Sequence, residues 1–179
     1  MSPGSNGTSS GSVSAGPIPD ETMLHAVLLL PESENRLAQY LDTLPLRTLG
    51  LGSLQMGEWI AIDQPRPCSW TDFTLGQWSF RLVFDPQGLP PSLMPTVTAG
   101  RSGSECDEAI DEHRACCLVF LLSSPAEATP WNRFVALCKV AWGWVDAGAS
   151  LLSLPEARLL LSRRVLLGIE PDDLSPEHG

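Results

Sequence analysis

The sequence predicts an α+β fold: a mixed or antiparallel sheet of four to six strands with two or three helices packed on one face. Three observations predict it. Met23–Leu30 and Ala115–Leu122 are near-continuous apolar runs of strand length. Gln77–Phe84 alternates with a period of two. Residues 130–147 instead repeat apolar residues at helical spacing. The 179 residues suit one domain over residues 22–169. A disordered Ser/Gly/Pro-rich tail is expected at 1–21 and a polar tail at 170–179.

The run at Met23–Leu30 reads as a strand buried on both faces and stopped by Pro31. Ser33 is a candidate cap for a helix to about Leu44, with Leu37, Tyr40, Leu41 and Leu44 on one side and Pro45 as its end. The Leu- and Gly-rich stretch 46–57 gives no assignment. Glu58–Ile62 reads as a strand, broken by Asp63 and the prolines at 65 and 67. In Gln77–Phe84, Trp78, Phe80, Leu82 and Phe84 share one side, and Ser79, Arg81 and Val83 the other. That is the pattern of a half-buried antiparallel strand. Ser104 and Asp107 resemble a capping box for a helix to about His113, with Cys106, Ala109, Ile110 and His113 inward. Thr129 as N-cap and Pro130 at the first position open the long helix, and Gly148 stops it. Trp131, Phe134, Val135, Cys138, Ala141, Trp142 and Val145 form its apolar stripe. Leu137, Val140 and Trp144 form a second one. A helix this apolar is covered on most sides, deep in the domain or against a partner. Ala149–Leu154 is a short strand; 154–168 stays open between a helix and a helix followed by a strand.

Charge narrows the partners. Eleven Lys and Arg against 21 Asp and Glu leave a net charge of −10, the wrong sign for phosphate backbones or anionic lipid. Basic partners, or solubility alone, fit it. The first residues lack the basic and apolar regions of a signal peptide, and no apolar run approaches the roughly twenty residues a bilayer needs. A cytoplasmic location without membrane or nucleic-acid contact is therefore expected. There the five cysteines, which include no C-x-x-C pair, stay reduced and serve as small hydrophobes.

Glu105, Glu108 and Glu112 share a helical face, with Asp107 and Asp111 on the next. Such carboxylates suit a hard cation or a basic partner; a solvated helix start, favoured by the dipole, is the ordinary reading. His113 with Cys106, Cys116 and Cys117 lacks zinc spacing. Cys106, in the first helical turn, is the best-placed thiol, but surrounding carboxylates oppose a thiolate. No G-x-S-x-G follows an apolar strand as a nucleophile elbow would, and there is no phosphate-binding G-x-x-x-x-G-K-[ST]. Gly50, Gly52 and Gly57 read as loop flexibility. His25, inside a buried strand, reads as a hydrogen-bonded core residue. Of six tryptophans, Trp144 on the extra stripe is the one suspected of an interface.

One stretch carries a likeness. His113-Arg114-Ala115 opens an apolar strand, a Pro-started apolar helix follows, and Ala147-Gly148-Ala149 makes a small-residue turn into a short strand. Val83-Phe84 and a proline loop stand upstream. Residues 112–154 in this order resemble an uncharacterised bacterial domain-of-unknown-function family. The resemblance implies a partner-binding or toxin-neutralising role in bacterial conflict systems. The chain departs from that pattern after Leu167, where further core strand is expected.

Together these readings favour a non-enzymatic cytoplasmic binding protein of immunity or adaptor type, without cofactor or metal. It would engage a basic protein through Glu105, Glu108, Asp111, Glu112 and Trp144. One alternative is a small enzyme using Cys106 with His113, or the clustered carboxylates. Another is a homodimer subunit that buries the second stripe of the long helix.

Overall fold

The computed structural model describes residues 17–19, 23–32, 37–48, 50–63, 66–99 and 104–168. Most of both expected tails, and the Ser33 cap, lie outside them. Among the described residues eight strands form one antiparallel sheet: β1 (His25–Leu30), β2 (Leu54–Met56), β3 (Ile60–Ile62), β4 (Cys68–Leu75), β5 (Trp78–Asp85), β6 (Ala115–Ser123), β7 (Leu151–Leu154) and β8 (Leu159–Ser162). The order is β2-β4-β5-β6-β1-β7-β8, with β3 also on β4. Five helices occur among the described residues: α1 (Leu37–Arg47), α2 (Met94–Thr98), α3 (Ser104–Glu112), α4 (Pro130–Asp146) and α5 (Arg163–Leu166).

This overturns the expectation of four to six strands and two or three helices on one face. The unforeseen elements are short or polar. β2 has three residues, α5 four and α2 five. β4 reads Cys-Ser-Trp-Thr-Asp-Phe-Thr-Leu, half of it polar. β8 lies in the arginine-interrupted segment 154–168, left open between a helix and a helix followed by a strand; there a 3-10 turn (Pro155–Ala157) precedes the strand and α5 follows it.

Helices cover both faces because β1 and the first seven residues of β6 are buried throughout. A strand apolar on both sides needs two covers. On one face Leu28, Phe80, Leu82 and Val119 pack with Tyr40 and Leu44 of α1 and with Leu137, Val140 and Trp144 of α4. On the other, Val27, Val83 and Leu118 pack with Ile110 of α3, Val97 of α2 and Leu89 of the preceding loop. The outer side of β5, expected to be solvated, is therefore closed: Arg81 is 1 % exposed.

α4 starts as its sequence indicates. Thr129 Oγ1 accepts from the Asn132 backbone N–H (3.1 Å), and Asn132 Oδ1 accepts from the Thr129 N–H (3.1 Å), a reciprocal cap that satisfies two end donors. Its second stripe, Leu137, Val140 and Trp144, is buried in one cluster with Tyr40 and Leu44 of α1. Arg47 grips Asp146 through two hydrogen bonds (2.6 and 2.9 Å). Tyr40 stacks on Trp144 with ring centroids 4.4 Å apart. Gly143 sets this approach, since a Cβ there would lie 2.9 Å from Tyr40 Cε2. Gly143→Ala should therefore push the helices apart and lower stability by about 1–3 kcal/mol, read as a shift of the urea midpoint.

Candidate functional site

The β4–β5 hairpin turns at Gly76 with φ +60°, where glycine suits a two-residue loop. Its register places Asp72 opposite Arg81, Arg81 opposite Phe120, and Phe120 opposite His25. These four residues form one row across the α2–α3 face. Arg81 donates from Nε and a terminal nitrogen to the two carboxylate oxygens of Asp72 (2.6 and 2.8 Å). Its guanidinium lies 4.1 Å from the Trp70 ring centroid, a cation–π contact. At the other end His25 stacks on Phe120 with centroids 5.5 Å apart.

Glu156 reaches the row from the 3-10 turn between β7 and β8. That turn is closed by Arg158 in the left-handed region (φ 52°). Glu156 Oε1 accepts the His25 backbone N–H (3.2 Å) and lies 3.0 Å from His25 Nδ1, which is also 3.0 Å from the Met23 carbonyl. Both partners of Nδ1 are acceptors, so Nδ1 carries the proton. A cavity of about 150 Å³ lies alongside, lined by His25, Phe120, Ile18, Ser92, Leu93 and Thr96.

Burial alone would lower the His25 pKa, but the Glu156 carboxylate and the Met23 carbonyl outweigh it and raise the pKa above its ordinary 6.5. Burial likewise opposes the Glu156 carboxylate, and His25 outweighs it, holding Glu156 below its ordinary 4.5. The His25 contribution to stability is thus complete below pH 6.5 and lost as pH rises through the raised value. The Glu156 contribution is complete above pH 4.5 and lost as pH falls through the lowered value. Glu156→Gln should cost most stability between pH 4.5 and 6.5, and the gap should narrow at alkaline pH. Paired thermal melts across pH check this.

The residues singled out in the sequence disperse. Glu105 accepts from the Ser162 hydroxyl (3.0 Å) and from Arg164 (3.0 Å), which together hold its carboxyl below the ordinary range. Glu108, Asp111 and Glu112 are exposed on the outer side of α3. Trp144 is 0 % exposed and is no surface residue; its side chain fills the α1–α4 contact. Cys106 faces inward, its thiol 4.0 Å from the Leu160 carbonyl, and burial followed by Asp107 and Glu105 raises its pKa. His113 donates from Nδ1 to the Ile110 carbonyl and accepts the Leu89 N–H at Nε2 (3.0 Å). Both ring nitrogens therefore hold backbone. Seven residues of helical rise, about 10 Å, separate it from Cys106, beyond the reach of a nucleophile–base pair. All five cysteines are free thiols; burial raises each, Cys138 to about 12.

Sequence reasoning missed the row. Spacing put Arg81 on the side of a half-buried strand expected to be solvated, so nothing marked it as a member of a buried ion pair. Glu156 carried no signal either, because it lies 131 residues from His25.

No helix among the described residues is long and apolar enough to cross a membrane. Fold and site together define a class: a twofold-covered antiparallel α+β sheet with ion pairs at both ends of one internal row. Compared with known protein families, curated proteins and solved structures, the chain matches none.

Proposed function

We infer that the chain is a cytoplasmic binding protein that presents the outer face of α3 to a basic protein partner. The observation that carries this reading is the set Glu108, Asp111 and Glu112. All three are exposed, and they stand on a helix whose inner side is anchored by Cys106 and Ile110. A platform with exposed carboxylates steers a positive partner and fixes its register. Glu105 supports the platform by tying α3 to β8 and α5. The overall charge of −10 adds long-range attraction. The resemblance over residues 112–154 supports an immunity or adaptor role in bacteria. Trp144 drops out of the proposed surface because it is buried.

The test is co-purification with products of neighbouring genes at low and high salt. A basic partner should be held at low salt, weakened at high salt, and lost by the double variant Glu108→Lys, Glu112→Lys. Equal retention of that partner by the charge-reversed chain, or recovery of no basic partner at either salt, would overturn the reading.

A further inference from the structure

The His25 cavity has a chemistry of its own, separate from the α3 surface. His25 is 9 % exposed, and its Nδ1 is committed to Met23 and Glu156. Nε2 has no partner among the described residues. It is not one of the sealed, unpartnered polar atoms of the core, so it is accessible to a ligand from the open side of the cavity. The cavity that His25 lines adds the Ser92 and Thr96 side chains, which carry hydroxyls, and apolar surface from Ile18, Leu93 and Phe120.

We propose that this cavity binds a small monocarboxylate with a compact apolar body. In the protonated ring Nε2–H is a donor, and a carboxylate is the acceptor that gains most from a charged donor. The Ser92 and Thr96 hydroxyls offer further donors to the same anionic head. The Phe120 ring, stacked with His25, gives the apolar body a flat contact beside it. Size selects the ligand class: a cavity of about 150 Å³ matches a benzene-sized molecule. Glu156 lies behind the imidazole at Nδ1 and keeps the ring oriented and charged, as orienting carboxylates do. The other charged pair of the row, Arg81 with Asp72, stands on the far side of Phe120. α2, which supplies Thr96, carries no titratable side chain.

The full-length chain would be titrated with isobutyrate and benzoate and with their neutral amides. The His25 imidazole and Thr96 methyl resonances would be followed by NMR, and affinity measured by calorimetry. The carboxylates should shift both resonances. Each amide should bind at least about tenfold more weakly, the worth of one charge-assisted hydrogen bond. Affinity should fall as pH rises and His25 loses its proton. His25→Gln should weaken carboxylate binding by a similar factor. Should that variant fail to fold, Thr96→Val, which keeps the His25–Glu156 pair, should weaken binding by a smaller one. Amides binding as tightly as carboxylates would reduce the site to an apolar hole and overturn the proposal. Unmoved His25 resonances with both carboxylates would overturn it equally.

Discussion

Replacing Trp144 by alanine is expected to remove about 3–5 kcal/mol of unfolding free energy, the range for deleting a large buried aromatic. The indole is 0 % exposed and stacked on Tyr40, so the loss combines burial, stacking and an unfilled space between α1 and α4. Urea denaturation should show a lower midpoint with an unchanged slope. Trp144→Phe should cost less. It keeps an aromatic against Tyr40 and deletes an indole N–H that has no hydrogen-bond partner among the described residues. A Trp144→Ala chain of native stability with altered self-association would restore this residue to a surface role.

The second large effect is expected at the buried ion pair. Asp72→Ala should destabilise by about 3 kcal/mol, the lower end for breaking a buried pair by removing one partner. Arg81 is almost inaccessible, whereas the Asp72 side chain is 39 % exposed. Water can therefore solvate Asp72 if the arginine is removed, but cannot easily solvate Arg81 if the aspartate is removed. Arg81→Met fills similar space with an apolar chain and should cost only about 1 kcal/mol, most of it the lost contact with Trp70. The order of the two variants in chemical denaturation is the measurement; a reversed order would show that Asp72 is not what stabilises the buried guanidinium.

Legibility in the sequence followed chain locality. α4 was readable because its cap, its Pro130 and its apolar spacing are contiguous, and the structure starts it at Pro130. β1 and β6 were readable as apolar runs. Those same runs implied a cover on each face, so the expectation of helices on one face conflicted with the strands it was built on. β4 was not readable from apolar residues because Ser69, Thr71, Asp72 and Thr74 interrupt them. Only its pairing with β5 turns Asp72 from a breaker into a partner. The acidic face of α3 was visible from spacing, while the His25–Glu156 pair depends on a hairpin folding back from the far end of the chain. Trp144 was misplaced for a related reason: an apolar second stripe reveals that something covers it, and only the tertiary structure shows that α1 does.

The border of the sheet beyond β4 has a consequence for behaviour at high concentration. It consists of β2 and β3, two three-residue strands laid end to end and separated by residues 57–59, with Trp59 and Ile60 left open to solvent. A continuous ladder carrying such side chains would invite another molecule to add itself strand by strand. Among the described residues the interruption leaves only short stretches of rim to copy, which opposes growth of that kind while the greasy residues stay outside.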